Sequence, residues 1–228
     1  MKNTITFAAI LAVSAFATAQ ESKDIKTEKY DEIVVAGSYT VELVSGIEGE
    51  ITVSGEADDL KKLVVESDGS TLKIHHNKEF GWKGNKKPVK ITVPVESINK
   101  VTLSGSGSIT GANVIKTNHF EATLSGSGKI NLNLDAGEIE VSMSGSGKIE
   151  LKGKADKFES NISGSGNIKA FELATATANA NLSGSGNCEI NCSEAIVARI
   201  SGSGRIHYKG NPAKEDTKIV GSGGVTKS

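Results

Sequence analysis

One seven-residue pattern, aliphatic-Ser-Gly-Ser-Gly-x-aliphatic, governs the C-terminal half of this chain. It first runs from Leu103 to Ile109. It recurs at Leu124 to Ile130, Met143 to Ile149, Ile162 to Ile168, Leu182 to Cys188 and Ile200 to Ile206. A reduced seventh copy, Ile219 to Val225, carries Val220 in place of the first Ser. The first-Ser positions are 104, 125, 144, 163, 183, 201 and 220, so the steps are 21, 19, 19, 20, 18 and 19 residues. Aliphatic residues frame the motif at constant offsets, which a Gly/Ser linker does not do. A period of this size marks a repeat architecture.

Within each repeat the apolar residues alternate. Phe120, Ala122 and Leu124 precede one motif and Ile130, Leu132 and Leu134 follow it; Ile139, Val141 and Met143 lead into the next. A period of two places one apolar and one polar face on a strand. A unit of about 19 residues is too short for strand–helix–strand, which needs roughly 30, but it is enough for one turn of a β-solenoid. No single turn can bury its own apolar face, so the turns must stack, roughly 4.8 Å apart and about 30 Å over seven levels. The spacing therefore predicts an all-β fold: a right-handed parallel β-helix (solenoid) with coils of about 19 residues and an irregular β N-terminal part. Antiparallel hairpins are the alternative, because parallel pairing rests only on equal repeat length.

If alternation continues through the motif, each Ser points outward and each Gly inward. An inward Gly lets the walls approach closely, or turns the chain at a corner with positive φ.

The two ends read differently. Residues 1–19 carry Lys2, an apolar run from Ile5 to Phe16, and Ala17-Thr18-Ala19 before Gln20. That is the grammar of a secretory signal peptide cleaved near Ala19-Gln20. The run is too short to cross a hydrocarbon core of about 30 Å, and no later segment is long and apolar enough to do so. The expected product is secreted, periplasmic or surface-held. Residues 20–100 form the irregular β part, either the first coils or a cap; residues 101–228 form the repeat solenoid. Strands are expected around Ile33 to Val35, Tyr39 to Leu43, Ile51 to Val53, Leu63 to Val65, Leu72 to Ile74 and Ile91 to Val93, with one helical turn at Ala57 to Lys62. A loop from Glu79 to Lys90 holds Trp82.

The net charge of −1 gives no electrostatic case for nucleic acid. Catalytic and metal chemistry are also hard to find. Between residues 101 and 215 the only Asp residues are Asp135 and Asp156, at different coil positions, so the paired carboxyls of a solenoid glycosidase are missing. His75, His76, His119 and His207 lack zincin spacing. Cys188 and Cys192 share the inward parity, and four residues of extended strand separate their Cα atoms by roughly 13 Å, against a disulfide limit near 7 Å. Two buried thiols are favoured over a bridge. No catalytic residue, cofactor or metal is expected, and the chain is read as a non-enzyme.

Binding is the remaining function. The outward Ser106, Ser127, Ser146, Ser165, Ser185 and Ser203 form a hydroxyl ladder. Beside it runs a column of Ser108, Lys129, Lys148, Asn167, Asn187 and Arg205. Lys129, Lys148 and Arg205, with Trp82 for stacking, are the candidate ligand surface, and a glycan or cell-surface polymer is the partner class. The bland alternative makes Ser the small companion of Gly and Trp82 a cap on the core.

The recurring Ser-Gly-Ser-Gly-x-Ile, with Gly128-Lys129-Ile130-Asn131, and the opening Ile33-Val34-Val35-Ala36-Gly37 to Val41-Glu42-Leu43 resemble the family called putative auto-transporter adhesin, head GIN domain. The resemblance spans roughly residues 30–225. It implies a secreted, all-β, solenoid-like protein of a kind frequent in Bacteroidota, acting as an adhesin, with no catalytic motif to carry over. The functional expectation is a non-catalytic secreted or surface binding protein. The alternatives are a polysaccharide-active β-helix enzyme and a purely structural envelope protein.

The facing of the motif is open to test. Ala at Gly145 or Gly164 is expected to lower the melting temperature, and Ala at Ser146 or Ser165 to leave it nearly unchanged. Equal losses at both residue types would overturn the assignment.

Overall fold

In a computed structural model that describes residues 21–77, 79 and 87–228, the chain forms a β-solenoid of about seven turns with coils about 19 residues apart. Five long strands each run from one motif to the next: β9 (Ser108–Gly126), β10 (Lys129–Gly145), β11 (Lys148–Gly164), β12 (Asn167–Gly184) and β13 (Asn187–Gly202). β14 (Arg205–Lys209), β15 (Lys214–Val220) and β16 (Gly224–Lys227) make the last, broken coils. Neighbouring coils pair in parallel and in register. Parallel stacking thus replaces the antiparallel alternative along the repeats.

The register turns sequence periodicity into columns. Ile109, Ile130, Ile149, Ile168, Cys188 and Ile206 lie one above another on one wall. Phe120, Ile139, Phe158, Ala178 and Ile196 do so on the other, and all are buried. Burying each large aliphatic contributes roughly 1.5–3 kcal/mol, and the columns repeat that gain at every level. Differences in repeat length are absorbed away from the motif, by a register shift at Leu132/Asn133 for the longest step and others between Ala170 and Thr177.

The two glycines of each motif do different work. The first adopts positive φ, as at Gly164 (+119°), and is half-buried. The second, such as Gly166, faces the core and is buried. At the corner the Ser165 N–H donates to the Gly145 carbonyl (2.9 Å) and the Asn167 N–H to the Gly147 carbonyl (3.0 Å), so the parallel ladder continues through the turn. A Cβ on Gly164 would lie 2.5 Å from the Gly145 oxygen, whereas one on Gly166 would overlap the Met143 sulfur. The Ser residues are exposed. Only the second Gly therefore obeys the simple inward rule; the first is required by the turn.

Residues before 100 enter the same sheet out of sequence order. β2 (Glu32–Gly37) and β3 (Thr40–Ser45) meet at Gly37, another positive-φ corner, and lie next to β8 (Lys100–Gly105) and the start of β9. On their opposite side lie β6 (Thr71–His76) and β7 (Lys90–Val95), also parallel. β5 (Leu63–Asp68) and β4 (Glu50–Gly55) then close those two edges in antiparallel sense, and β1 (Glu21–Lys26) flanks β4. The helical turn α1 (Ala57–Leu60) links β4 to β5. Each strand anticipated in this half is present; β1, a mostly polar edge strand of which only Ile25 is partly buried against the core, was not anticipated.

Cys188 and Cys192 are both buried free thiols. The Cys188 sulfur lies 3.6 Å from the Ser160 hydroxyl, and burial pushes its thiol pKa up to about 12. Burial also raises the Tyr39 phenol to about 12, aided by the charge of Asp59, and raises Tyr30 further.

Two predictions follow from this packing. Gly164→Ala and Gly166→Ala should each destabilise, roughly 1–3 kcal/mol for overpacking with about 1–2 more at Gly164 for its left-handed φ. Met143→Ala should relieve much of the Gly166→Ala loss and none of the Gly164→Ala loss, which urea unfolding of the double mutants measures. Separately, the folded state holds protons on Cys188, Tyr39 and Tyr30 that the unfolded chain releases from about pH 8.5 for Cys and about 10 for Tyr. The stability they contribute is fully present below those values and is lost as pH rises toward 12, at about 1.4 kcal/mol per pH unit per group. Urea midpoints should therefore fall steeply above about pH 9, less so in Cys188→Ala; a flat alkaline profile contradicts this.

Candidate functional site

The repeat register brings three of the four sequence-derived candidates into one column. Thr40, Ser108, Lys129, Lys148, Asn167, Asn187 and Arg205 occupy successive rungs. Lys129 and Lys148 are adjacent, but two asparagine rungs separate Lys148 from Arg205, about 14 Å along the stack. Those asparagines bond each other, Asn187 Nδ2 donating to Asn167 Oδ1 at 2.8 Å. Lys148 is not free for a ligand: its Nζ lies 2.5 Å from Glu150 Oε2, and that bond holds the Glu150 carboxyl below its usual range. Lys129 and Arg205 are exposed and make no ion pair among the described residues. Trp82 lies outside the described residues.

Lys129 also borders a polar cleft of about 420 Å³ with Ser38, Thr40, Lys87, Pro88, Ser106, Ser108 and Ser127. One side of the cleft is the solenoid corner. The other is the segment entering β7, and a buried carboxylate sets its position. Asp59 on α1 is fully buried, accepts the Lys87 N–H at 3.2 Å and pairs with Lys62 Nζ at 2.9 Å. The Thr40 N–H donates to the Val89 carbonyl at 3.0 Å, and Lys87 Nζ pairs with Glu56 at 2.7 Å. The segment carrying Lys87 and Pro88 is therefore fastened against the ladder of serine hydroxyls. Sequence reasoning missed Ser38, Thr40, Lys87 and Asp59. The available signal was Ala36-Gly37-Ser38, a reduced motif whose Gly37 sits directly beside Gly105 in register.

A second concavity lies across the Ser-Gly corner. It is a groove of about 620 Å³ that runs over six rungs. One flank is the column Thr123, Ser142, Asn161, Asn181, Arg199 and Lys218; the other is Ser125, Ser144, Ser163, Ser183, Ser201 and Val220. Between them lie Leu124, Met143, Ile162, Leu182 and Ile200. Arg199 is committed to Asp216, through Nη1 to Oδ1 at 3.0 Å and Nη2 to Oδ2, and also donates to the Asp216 carbonyl at 2.9 Å.

The charged side chains elsewhere mostly tie coil to coil. Lys100 bonds Glu121, Lys157 bonds Glu138, Lys152 bonds Glu172, and Lys154 lies 3.4 Å from Asp135. Asp135 and Asp156 border the corner opposite the motif at different coil positions. His75 bonds Glu66, His119 faces Glu138 and His207 bonds Thr226. Among the described residues no cluster of three or more His, Cys, Asp or Glu could hold a metal ion, and no helix is long and apolar enough to cross a membrane.

Against known proteins, the profile of the family described as "Putative auto-transporter adhesin, head GIN domain" matches residues 29–212. Among solved structures, a "putative adhesin" from Bacteroides fragilis NCTC 9343 superposes with a TM-score of 0.86 at 22% identity, covering 93% of this chain and 98% of that one. A "putative lipid binding protein" from Parabacteroides distasonis ATCC 8503 gives 0.75 at 29% identity, and a "putative adhesin" from the same organism gives 0.69 at 23%, each with the same coverage of 93% and 98%. The two likenesses below 25% identity speak to the fold alone. No curated protein matches the sequence.

Proposed function

The chain belongs to the putative auto-transporter adhesin, head GIN domain family, and from that premise we propose that it is a non-catalytic binding protein of the secreted fraction or cell surface whose ligand is an acidic glycan or similar surface polymer. Residues 1–19 enter the proposal as a signal peptide removed before Gln20. The observation that carries the reading is the polar cleft, where Lys129, Lys87 and a row of serine hydroxyls face one opening. Hydroxyls at every rung suit a hydroxyl-rich polymer, and an exposed lysine without an ion-pair partner suits a carboxylate or sulfate on it. In this reading the part before residue 100 supplies one wall, and Trp82 is proposed as a stacking partner for a sugar ring. The part after residue 100 supplies Lys129 and the serine ladder.

A second reading, lipid binding, is supported by a different observation. The groove across the corner has aliphatic side chains along its floor, and one relative carries the name of a lipid binding protein.

A glycan array probed with the purified protein, beside Lys129→Ala and Trp82→Ala, tests the first reading. Acidic glycans should be retained, more weakly at high salt. Loss of one charge-assisted contact should reduce affinity about fivefold or more. Retention by both variants equal to that of the parent would remove the cleft from consideration.

A further inference from the structure

The long groove differs from the rest of the surface in three ways. Its outward side chains are small along most of its length, because the first Ser of each motif supplies one flank and Thr, Ser and Asn supply the other. No side chain longer than Asn lines those flanks before Arg199. Its floor is apolar on the first five rungs, from Leu124 to Ile200, and presents mostly carbon. Met143, Ile162, Leu182 and Ile200 are each about 3% exposed and Leu124 is sealed, against 0–1% along the column of Ile130, Ile149, Ile168, Cys188 and Ile206. Finally, charge is confined to one end. The lining contains no carboxylate, and its two cations, Arg199 and Lys218, lie on the last two rungs. Asp216 takes both nitrogens of Arg199. Lys218 is exposed and makes no ion pair among the described residues.

The repeat is interrupted at that same end. Val220 stands where six earlier copies have Ser, and it is 60% exposed; Ile219 beside it is 42% exposed. The groove therefore runs from a hydroxyl-flanked start to an apolar patch next to an available ammonium. Six rungs at the strand spacing give a length of about 24 Å, enough for an extended chain of about 16 carbons at roughly 1.3 Å each. The volume of about 620 Å³ falls within the usual size of a small-ligand site.

We infer that this groove holds a long-chain fatty acid, its hydrocarbon tail lying over Leu124, Met143, Ile162 and Leu182 and its carboxylate at Lys218. The inference rests on the lipid-binding reading and adds to it a ligand class and an orientation. The tail replaces water over carbon. The carboxylate receives a charge-assisted hydrogen bond from the ammonium. No carboxylate lines the groove to repel such a head group, and the nearby Asp216 is paired with Arg199. A glycan fits this groove poorly, since no aromatic side chain lines it for a sugar face to stack on.

Isothermal titration of the purified protein with decanoate, dodecanoate and hexadecanoate, below their micelle concentrations, and with dodecanol as the uncharged partner, tests this. Affinity should rise with chain length, and dodecanoate should bind about threefold to tenfold more tightly than dodecanol, the scale of one partly exposed charged contact. Lys218→Gln should erase that difference while leaving dodecanol unchanged. Ser163→Trp, which fills the trough from an exposed position, should abolish both, with Ser144→Trp as a second block if the first lowers the melting temperature. Equal binding of acid and alcohol, unaltered in Lys218→Gln, overturns the orientation but leaves lipid binding standing. Absence of binding at every chain length overturns both. Undiminished binding in a folded trough-filled variant places the site elsewhere and overturns the inference.

Discussion

At each corner the carbonyl of the first glycine accepts an N–H from the coil above, and the next glycine sits over that same carbonyl. The Gly126, Gly145 and Gly164 oxygens receive the Ser146, Ser165 and Ser185 N–H groups at 2.9–3.0 Å. A methyl group in this position would separate the coils and break the ladder at its tightest bend. The second glycine then leaves room for the preceding aliphatic of the coil below, as Gly147 does for Leu124 and Gly204 for Leu182. The in-register walls, the aliphatic columns and the shallow outer grooves all depend on coils that can close to strand spacing at the motif.

Because the corner leaves so little freedom, variation is displaced to other places. Length differences appear as register shifts on the far side of each coil. Chemical variation appears on the outer face, where lysines and glutamates of adjacent rungs pair with one another. Exposed pairs of this kind contribute little each, about 0–1 kcal/mol, but they fix which charges are already satisfied. Glu150 occupies Lys148 and Asp216 occupies Arg199. Lys129, Arg205 and Lys218 are left exposed without an ion-pair partner among the described residues. The two concavities beside the corner each contain one of these cations, Lys129 in the polar cleft and Lys218 in the groove. They differ in their surroundings: serine hydroxyls and a second lysine in one, an aliphatic floor in the other.

Much of this could be read from the residues in order. Repeat arithmetic alone aligns Lys129 with Lys148 and Ser127 with Ser146, since parallel coils of equal length must place equivalent residues on one column. Alternation around Ile139, Val141 and Met143 separates core from surface correctly. The order of coils before residue 100 was not legible in this way. Leu72 to Ile74 and Ile91 to Val93 look like any inner strands, and local periodicity does not say on which side of β2 and β3 they pack. The cleft depends on that choice, because it brings Lys87 to Lys129 through Asp59, whose burial no local pattern announces.

The sequence by itself determined the solenoid, its step, the inward aliphatics and the outward serines, because each follows from interactions between a residue and its equivalent one repeat away. The tertiary structure decided which glycine turns and which one packs, where the N-terminal strands enter the stack, and which outer columns border a concavity. Those features depend on the curvature of the stacked corner and on contacts between segments far apart in the chain, neither of which is encoded in spacing. The Ser-Gly-Ser-Gly motif is thus a scaffold element whose two sides carry different surfaces.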